Sequence, residues 1–146
     1  MASRELTVPF AVMSALNNVI PFTLIALGQR EIASGLASVL NATAPLFSVL
    51  VGWAFAGDGR LPANKIAGIV LRLVGVAILV GPEAMVGNSA SVLGMGCLLG
   101  AALSYGFSAV WGRRFQGTPA PVPAAAQLVC STIVLAPVTM LIDRPW

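Results

Sequence analysis

Charge is absent from long stretches of this chain, and that most limits what it can fold into. Its eight basic and five acidic residues fall at Arg4–Glu5, Arg30–Glu31, Asp58–Lys65, Arg72, Glu83, Arg113–Arg114 and Asp143–Arg144. Between them lie uncharged runs over 6–29, 32–57, 73–82, 84–112 and 115–142. A bilayer core about 30 Å thick needs roughly 20 apolar residues in helical form. Four of the five runs are long enough, and the fifth becomes so if 62–82 spans with Arg72 inside. Only 9% of the 146 residues are charged, against about 25% in soluble domains. Lipid must therefore cover much of the surface.

The sequence predicts an all-α integral membrane protein with helices near 6–29, 33–57, 62–82, 89–112 and 120–142. Breakers mark the divisions. Gly57-Asp58-Gly59 ends the second helix, and Pro62 opens the third where a missing N–H costs nothing. Gly81-Pro82 ends the third, and Gly117 with Pro119, Pro121 and Pro123 marks the loop into the fifth. The short turn at Gln29–Ile32 implies an antiparallel hairpin. The ten-residue alternation of a membrane β-barrel is absent. The first apolar run exceeds the 7–15 residues of a signal-peptide core and reads as a membrane helix.

Lys and Arg counts orient the chain. One side receives Arg4, Arg60, Lys65, Arg113 and Arg114, and the other Arg30 and Arg144. Five against two puts the N-terminus in the cytoplasm and the C-terminus of this chain outside. A net charge of +3, widely dispersed, does not suit nucleic acid. With no His and no metal-ligand, Ser–Lys or paired-Asp constellation in the helices, general acid–base chemistry has nothing to use. The sequence thus implies no enzyme, no metal and no cofactor. Cys97 and Cys130 sit alone and read as small core residues.

Polar residues concentrate in the first two helices. Asn17 precedes Pro21 by four residues, and Asn41 precedes Pro45 by four. A helical proline deprives the carbonyl four residues earlier of its donor, and in lipid such groups must be satisfied by protein or a wet cavity. At 1.5 Å per residue, Asn17 and Pro45 each lie about 18 Å from the turn, and Pro21 and Asn41 about 12 Å. Both motifs are therefore expected in one slab near the midplane. The second helix also aligns Ser34, Ser38, Asn41, Pro45, Ser48 and Gly52 on one face, which serves helix packing or additionally lines a solute path.

The fourth helix repeats Gly96, Gly100, Ser104 and Ser108, a close-packing face. Trp111 beside Arg113 and Arg114 reads as an interfacial anchor, and Tyr105, deeper, as path-lining or packed. In the fifth helix Gln127 and Ser131 share a face suited to an interhelical hydrogen bond. Arg72 is mid-span, where insertion scales charge about 2.5–3.5 kcal/mol. It either meets an anionic substrate or is a tolerated substitution on a face of small residues that includes Gly68 and Gly75.

The stretch LNNVIPFTLIALGQREIASGLASVLNATAPLFSVLVGWAF, followed by KIAGIVLRLVGVAILVGPE, resembles the EamA family of the drug/metabolite transporter superfamily, most strongly over residues 10–85. That resemblance implies a ten-helix fold of two inverted five-helix repeats. The five segments here are similar to family helices three to seven. Residues 1–85 would be the last three helices of the first repeat, and 86–146 the first two of the second. The chain thus reads as a fragment, needing self-association or a partner to supply the missing helices. The implied function is alternating-access transport of small metabolites or drugs across the inner membrane. Substrate contacts are expected from Asn17, Asn18, Pro21, Asn41, Thr43, Pro45, Arg72 and Tyr105, with lipid and a small-molecule substrate as partners. Arg72 stands where the family usually has Gly. The alternatives are a non-transporting membrane subunit and a small multidrug-type exporter acting as an oligomer; the latter type relies on a membrane-embedded acid, which this chain lacks.

Overall fold

The computed structural model describes residues 2–55, 57, 59, 63–80 and 91–142, and among these every regular element is helical. The elements are α1 (Ala2–Ser14), a π-helical turn (Ala15–Val19), α2 (Ile20–Gly28), α3 (Ser34–Asn41), α4 (Ala44–Phe55), α5 (Ala63–Val80), α6 (Val92–Trp111), a 3₁₀ turn (Gly112–Phe115) and α7 (Pro121–Ile142). Among the described residues four spans, Val8–Gly28, Ser34–Phe55, Val92–Phe115 and Pro121–Met140, are long and apolar enough to cross a membrane. The expected third span is α5, an 18-residue helix that carries Lys65 and Arg72. Its expected limits at Pro62, Gly81 and Pro82, and the 83–88 link, lie outside the described residues.

Turn chemistry explains the ends that sequence located. Gly57 has φ 66° and Gly117 φ 96°, a left-handed region open to glycine at little cost. Ser91 caps α6 by accepting the Gly94 N–H, which satisfies one of the helix's unpaired first donors.

α6 is the centre of the fold. It packs against α2, α3, α4 and the π turn, and its buried residues are almost all small: Gly94, Ala101, Ala102, Ser104, Gly106 and Ser108, with Leu98. The hairpin expectation is half right. The turn is tight, with Glu31 and Ile32 N–H both reaching the Gly28 carbonyl. Its two arms, however, take their main packing from α6 rather than from each other. The glycines show how α6 fits between them. A Cβ on Gly106 would lie 2.8 Å from the Phe47 carbonyl oxygen, and one on Gly94 would lie 2.8 Å from Ile32 Cγ2. Gly96, expected on the close-packing face, has open space around it, and Gly100 meets only Leu24. The stripe is therefore real at Ser104 and Ser108 but is continued by Gly94 and Gly106. With several faces of α6 buried, an i+4 row on one face does not describe its packing.

The outer surface is what a bilayer requires. Phe22, Leu27, Trp53, Phe55, Leu71, Ile78, Leu93, Val129 and Ile133 are among the large apolar side chains left exposed. Neither cysteine is fully buried, and Cys97 flanks the small core of Ile32, Ala37 and Leu98.

Candidate functional site: a polar junction inside the helices

Pro21 has no N–H, and the chain responds by widening the preceding turn. The Ile20 N–H reaches back five residues to the Ala15 carbonyl, so residues 15–19 form a π turn, a feature often found at functional sites. In that register the next donor would be Pro21, reaching Leu16. The carbonyl losing its partner is thus Leu16's, not Asn17's as α-helical counting predicts. Ser104 Oγ of α6 supplies the missing donor to Leu16 O at 2.7 Å.

The same turn aims both asparagines at neighbouring helices. Asn17 Nδ2 donates to Gln127 Oε1 of α7 at 3.2 Å. Asn17 Oδ1 accepts from Ser108 Oγ at 3.1 Å, and the Ser108 proton is shared with the Tyr105 carbonyl at 2.8 Å. Asn18, 4% exposed, donates through Nδ2 to Ser131 Oγ at 3.3 Å. That hydroxyl in turn donates to the Leu128 carbonyl at 2.9 Å. Three helices therefore meet in one hydrogen-bonded junction at the π turn. Ser104, Ser108, Gln127 and Ser131 belong to it but were not expected as site residues. The shared face of Gln127 and Ser131 was the available signal.

The two ends of this junction differ. Toward the 3₁₀ turn it is shut. Trp111 Nε1 donates to the Pro9 carbonyl at 3.1 Å, Phe10 and Phe115 stack with ring centroids 4.8 Å apart, and the Arg114 guanidinium lies 3.8 Å from the Trp111 ring. Trp111 thus has a specific partner besides an interfacial position. Toward the Gln29–Ile32 turn, α2 and α7 part. They leave a crevice of about 260 Å³ whose walls include Phe22, Ala26, Leu27 and Arg30 on one side and Leu135 and Val138 on the other. Pro137 lies within this part of α7.

The second Asn–Pro pair behaves otherwise. Here the helix breaks. α3 ends at Asn41, and the Thr43 N–H and Thr43 Oγ1 both turn back to the Leu40 carbonyl, at 3.0 and 2.6 Å. Asn41 Oδ1 is buried without a hydrogen-bond partner, as is Ser14 Oγ beside the π turn. Ser38 and Ser48 bond to carbonyls of their own helix, and Ser34 and Ser38 are exposed, so the expected stripe is not one continuous lining. Pro45 faces a groove it shares with Val49, Lys65, Gly68, Ile69 and Arg72. The structure therefore sorts the expected site residues into two places. Asn17, Asn18 and Pro21 form the junction, while Pro45 and Arg72 share the groove, with Asn41 and Thr43 at the break that precedes Pro45. Tyr105 is half-buried on α6 and contributes its backbone carbonyl to the junction.

Known proteins give this arrangement a context. The "Uncharacterized transporter YoaV" of Bacillus subtilis (strain 168) is 28% identical over 104 residues, covering 71% of this chain and 35% of that protein. The chain thus spans about a third of that relative's length. No solved structure matches it. The sequence model of the EamA-like transporter family matches residues 3–81, a region that holds the π turn, both Asn–Pro pairs and α5. With more than half of its length inside that match, the chain belongs to the EamA-like transporter family.

Proposed function

We propose that this chain forms part of an alternating-access transporter for small metabolites or drugs in the inner membrane, and that it is not an enzyme. The N-terminus is cytoplasmic and the C-terminus of this chain is outside, following the Lys and Arg count. Residues 1–85 end the first of two inverted repeats and 86–146 begin the second. The observation that carries this reading is the junction. In the proposed division, Asn17 and Asn18 belong to the first repeat and Ser108, Gln127 and Ser131 to the second. Inverted-repeat transporters bind solute at such a repeat interface near the midplane, and rock one repeat against the other. A solute entering from the open crevice would exchange its own donors and acceptors for those of the Asn17–Gln127 and Asn18–Ser131 pairs. The stacked Phe10–Phe115 and the Trp111–Pro9 bond would close the opposite end.

A non-transporting membrane subunit is the second reading. It is favoured by the pairing of the junction's amide and hydroxyl groups with one another, which suits a permanent helix contact. The thermal melting of the detergent-solubilised chain, with panels of amino acids, organic acids and organic amines, separates the two. The transporter reading expects at least one solute to raise the Tm of the wild type but not of Asn17→Ala or Asn18→Ala. If no solute acts on the wild type while both variants melt lower, the junction is a packing device alone.

A further inference from the structure

α5 has two unlike faces. Ala63, Ile66, Ala67, Val70, Leu71 and Val74 line a shallow apolar surface on one side. Lys65, Gly68, Ile69 and Arg72 follow the i, i+3, i+4, i+7 pattern of a single helix face. They line, with Pro45 and Val49 of α4, a groove of about 280 Å³. Both cations of the helix therefore stand on the groove wall and neither on the apolar face. Arg72 lies nine residues into α5, about 13 Å along its axis. A cation at such depth needs a counter-charge or water. Among the described residues that line the groove there is no acid.

The groove is also not a packing surface spoiled by a large residue. A Cβ added at Gly68 meets nothing within 4 Å, and Arg72 itself is exposed.

We infer that this groove binds a small organic anion carrying two negative charges, of the dicarboxylate or phosphomonoester class. Lys65, near the start of α5, meets the anion first. Arg72, with five donors in a planar fork, holds a carboxylate or phosphate deeper in the groove. A free solute and the headgroup of a phosphomonoester lipid share this chemistry. The site is separate from the Asn17–Asn18 junction, and binding there does not depend on the transport reading.

The test is equilibrium binding of radiolabelled succinate, and separately of inorganic phosphate, to the delipidated chain in a neutral detergent at low ionic strength. Saturable binding is expected. Arg72→Gln should weaken it roughly tenfold or more, the size expected for one charge-assisted contact, and Lys65→Gln by a smaller factor. Arg72→Lys, which keeps the charge but not the fork, should weaken binding less than Arg72→Gln does. Arg30→Gln, at the other crevice, should have no effect. No saturable binding of either dianion, or equal losses in Arg30→Gln and Arg72→Gln, would overturn the site. Repeating the measurement in nanodiscs of phosphatidylcholine with and without phosphatidic acid, a phosphomonoester lipid, identifies the source. Loss of succinate binding with phosphatidic acid upholds the anion site and assigns it to the bilayer; unchanged binding upholds it as a solute site.

Discussion

The chain carries Asn-x-x-x-Pro twice, and the two copies end in different backbones. Around Pro21 the helix continues by widening into a π turn, and Ser104 supplies the hydrogen bond that the proline removes. Around Pro45 the helix stops, Thr43 folds back on Leu40, and Asn41 Oδ1 goes unpaired. The motif is the same; the neighbours are not. The first copy lies between α6 and α7, which present Ser104, Ser108, Gln127 and Ser131. The second ends at Pro45, in a groove that Lys65 and Arg72 also line. A proline in a membrane helix thus creates a demand for hydrogen bonds, and the adjacent helices decide whether protein meets it.

That contrast can be broken by substitution, with the unfolding of the detergent-solubilised chain as the readout. The largest effect is expected at the tight face of α6. Gly106→Ala places a methyl 2.8 Å from Phe47 O and should cost about 1–3 kcal/mol, typical of overpacking. Asn17→Ala removes two interhelical hydrogen bonds and leaves Gln127 Oε1 without its donor. A loss of about 1–2 kcal/mol is expected, and an unchanged midpoint would show that the junction adds no stability. Ser104→Ala should cost about 1 kcal/mol. Its cost should shrink in a Pro21→Ala background, where residue 21 regains its own N–H, and a double-mutant cycle reads that coupling. The groove side should respond with the opposite sign. Asn41→Leu removes an unpaired buried acceptor and should be neutral or stabilising. Gly68→Ala, in open space, should gain up to about 1 kcal/mol of helix propensity. A large loss from either would mean that the groove is packed, and the contrast would fail.

Much of the fold was legible because bilayer length and charge placement constrain helices strongly. The limits at Phe55, Trp111 and Pro121 followed from Gly57, the Arg113–Arg114 pair and Gly117 with Pro119, although Pro121 and Pro123 lie inside α7 rather than in the loop. The break at Ala42–Thr43 was not foreseen, since a proline only states that a donor is missing. Whether the backbone widens or stops depends on which side chains stand opposite, and those come from residues about 90 positions away. The same limit applied to the site. Asn17, Asn18 and Pro21 stood out by type and depth. Ser104 and Ser108 looked like packing residues, because a serine in a row of glycines gives no sign that its hydroxyl bridges to another helix. Gly96 failed for the converse reason: spacing along α6 was read correctly, but the direction of its neighbours is a tertiary property.

The π turn also sets a phase. An α-helix rotates by about 100° per residue, and a π turn accommodates one residue more than the α-helix around it. Closing Ala15–Val19 into an α-helical turn with no residue removed would leave composition and hydropathy unchanged, yet it would swing α1 through that angle relative to α2. Phe10 and the Pro9 carbonyl would then face away from Phe115 and Trp111, while Gly28 kept its place against α6. A single surplus residue therefore keys the closed end of the molecule to the open one, like the offset between two teeth on one shaft.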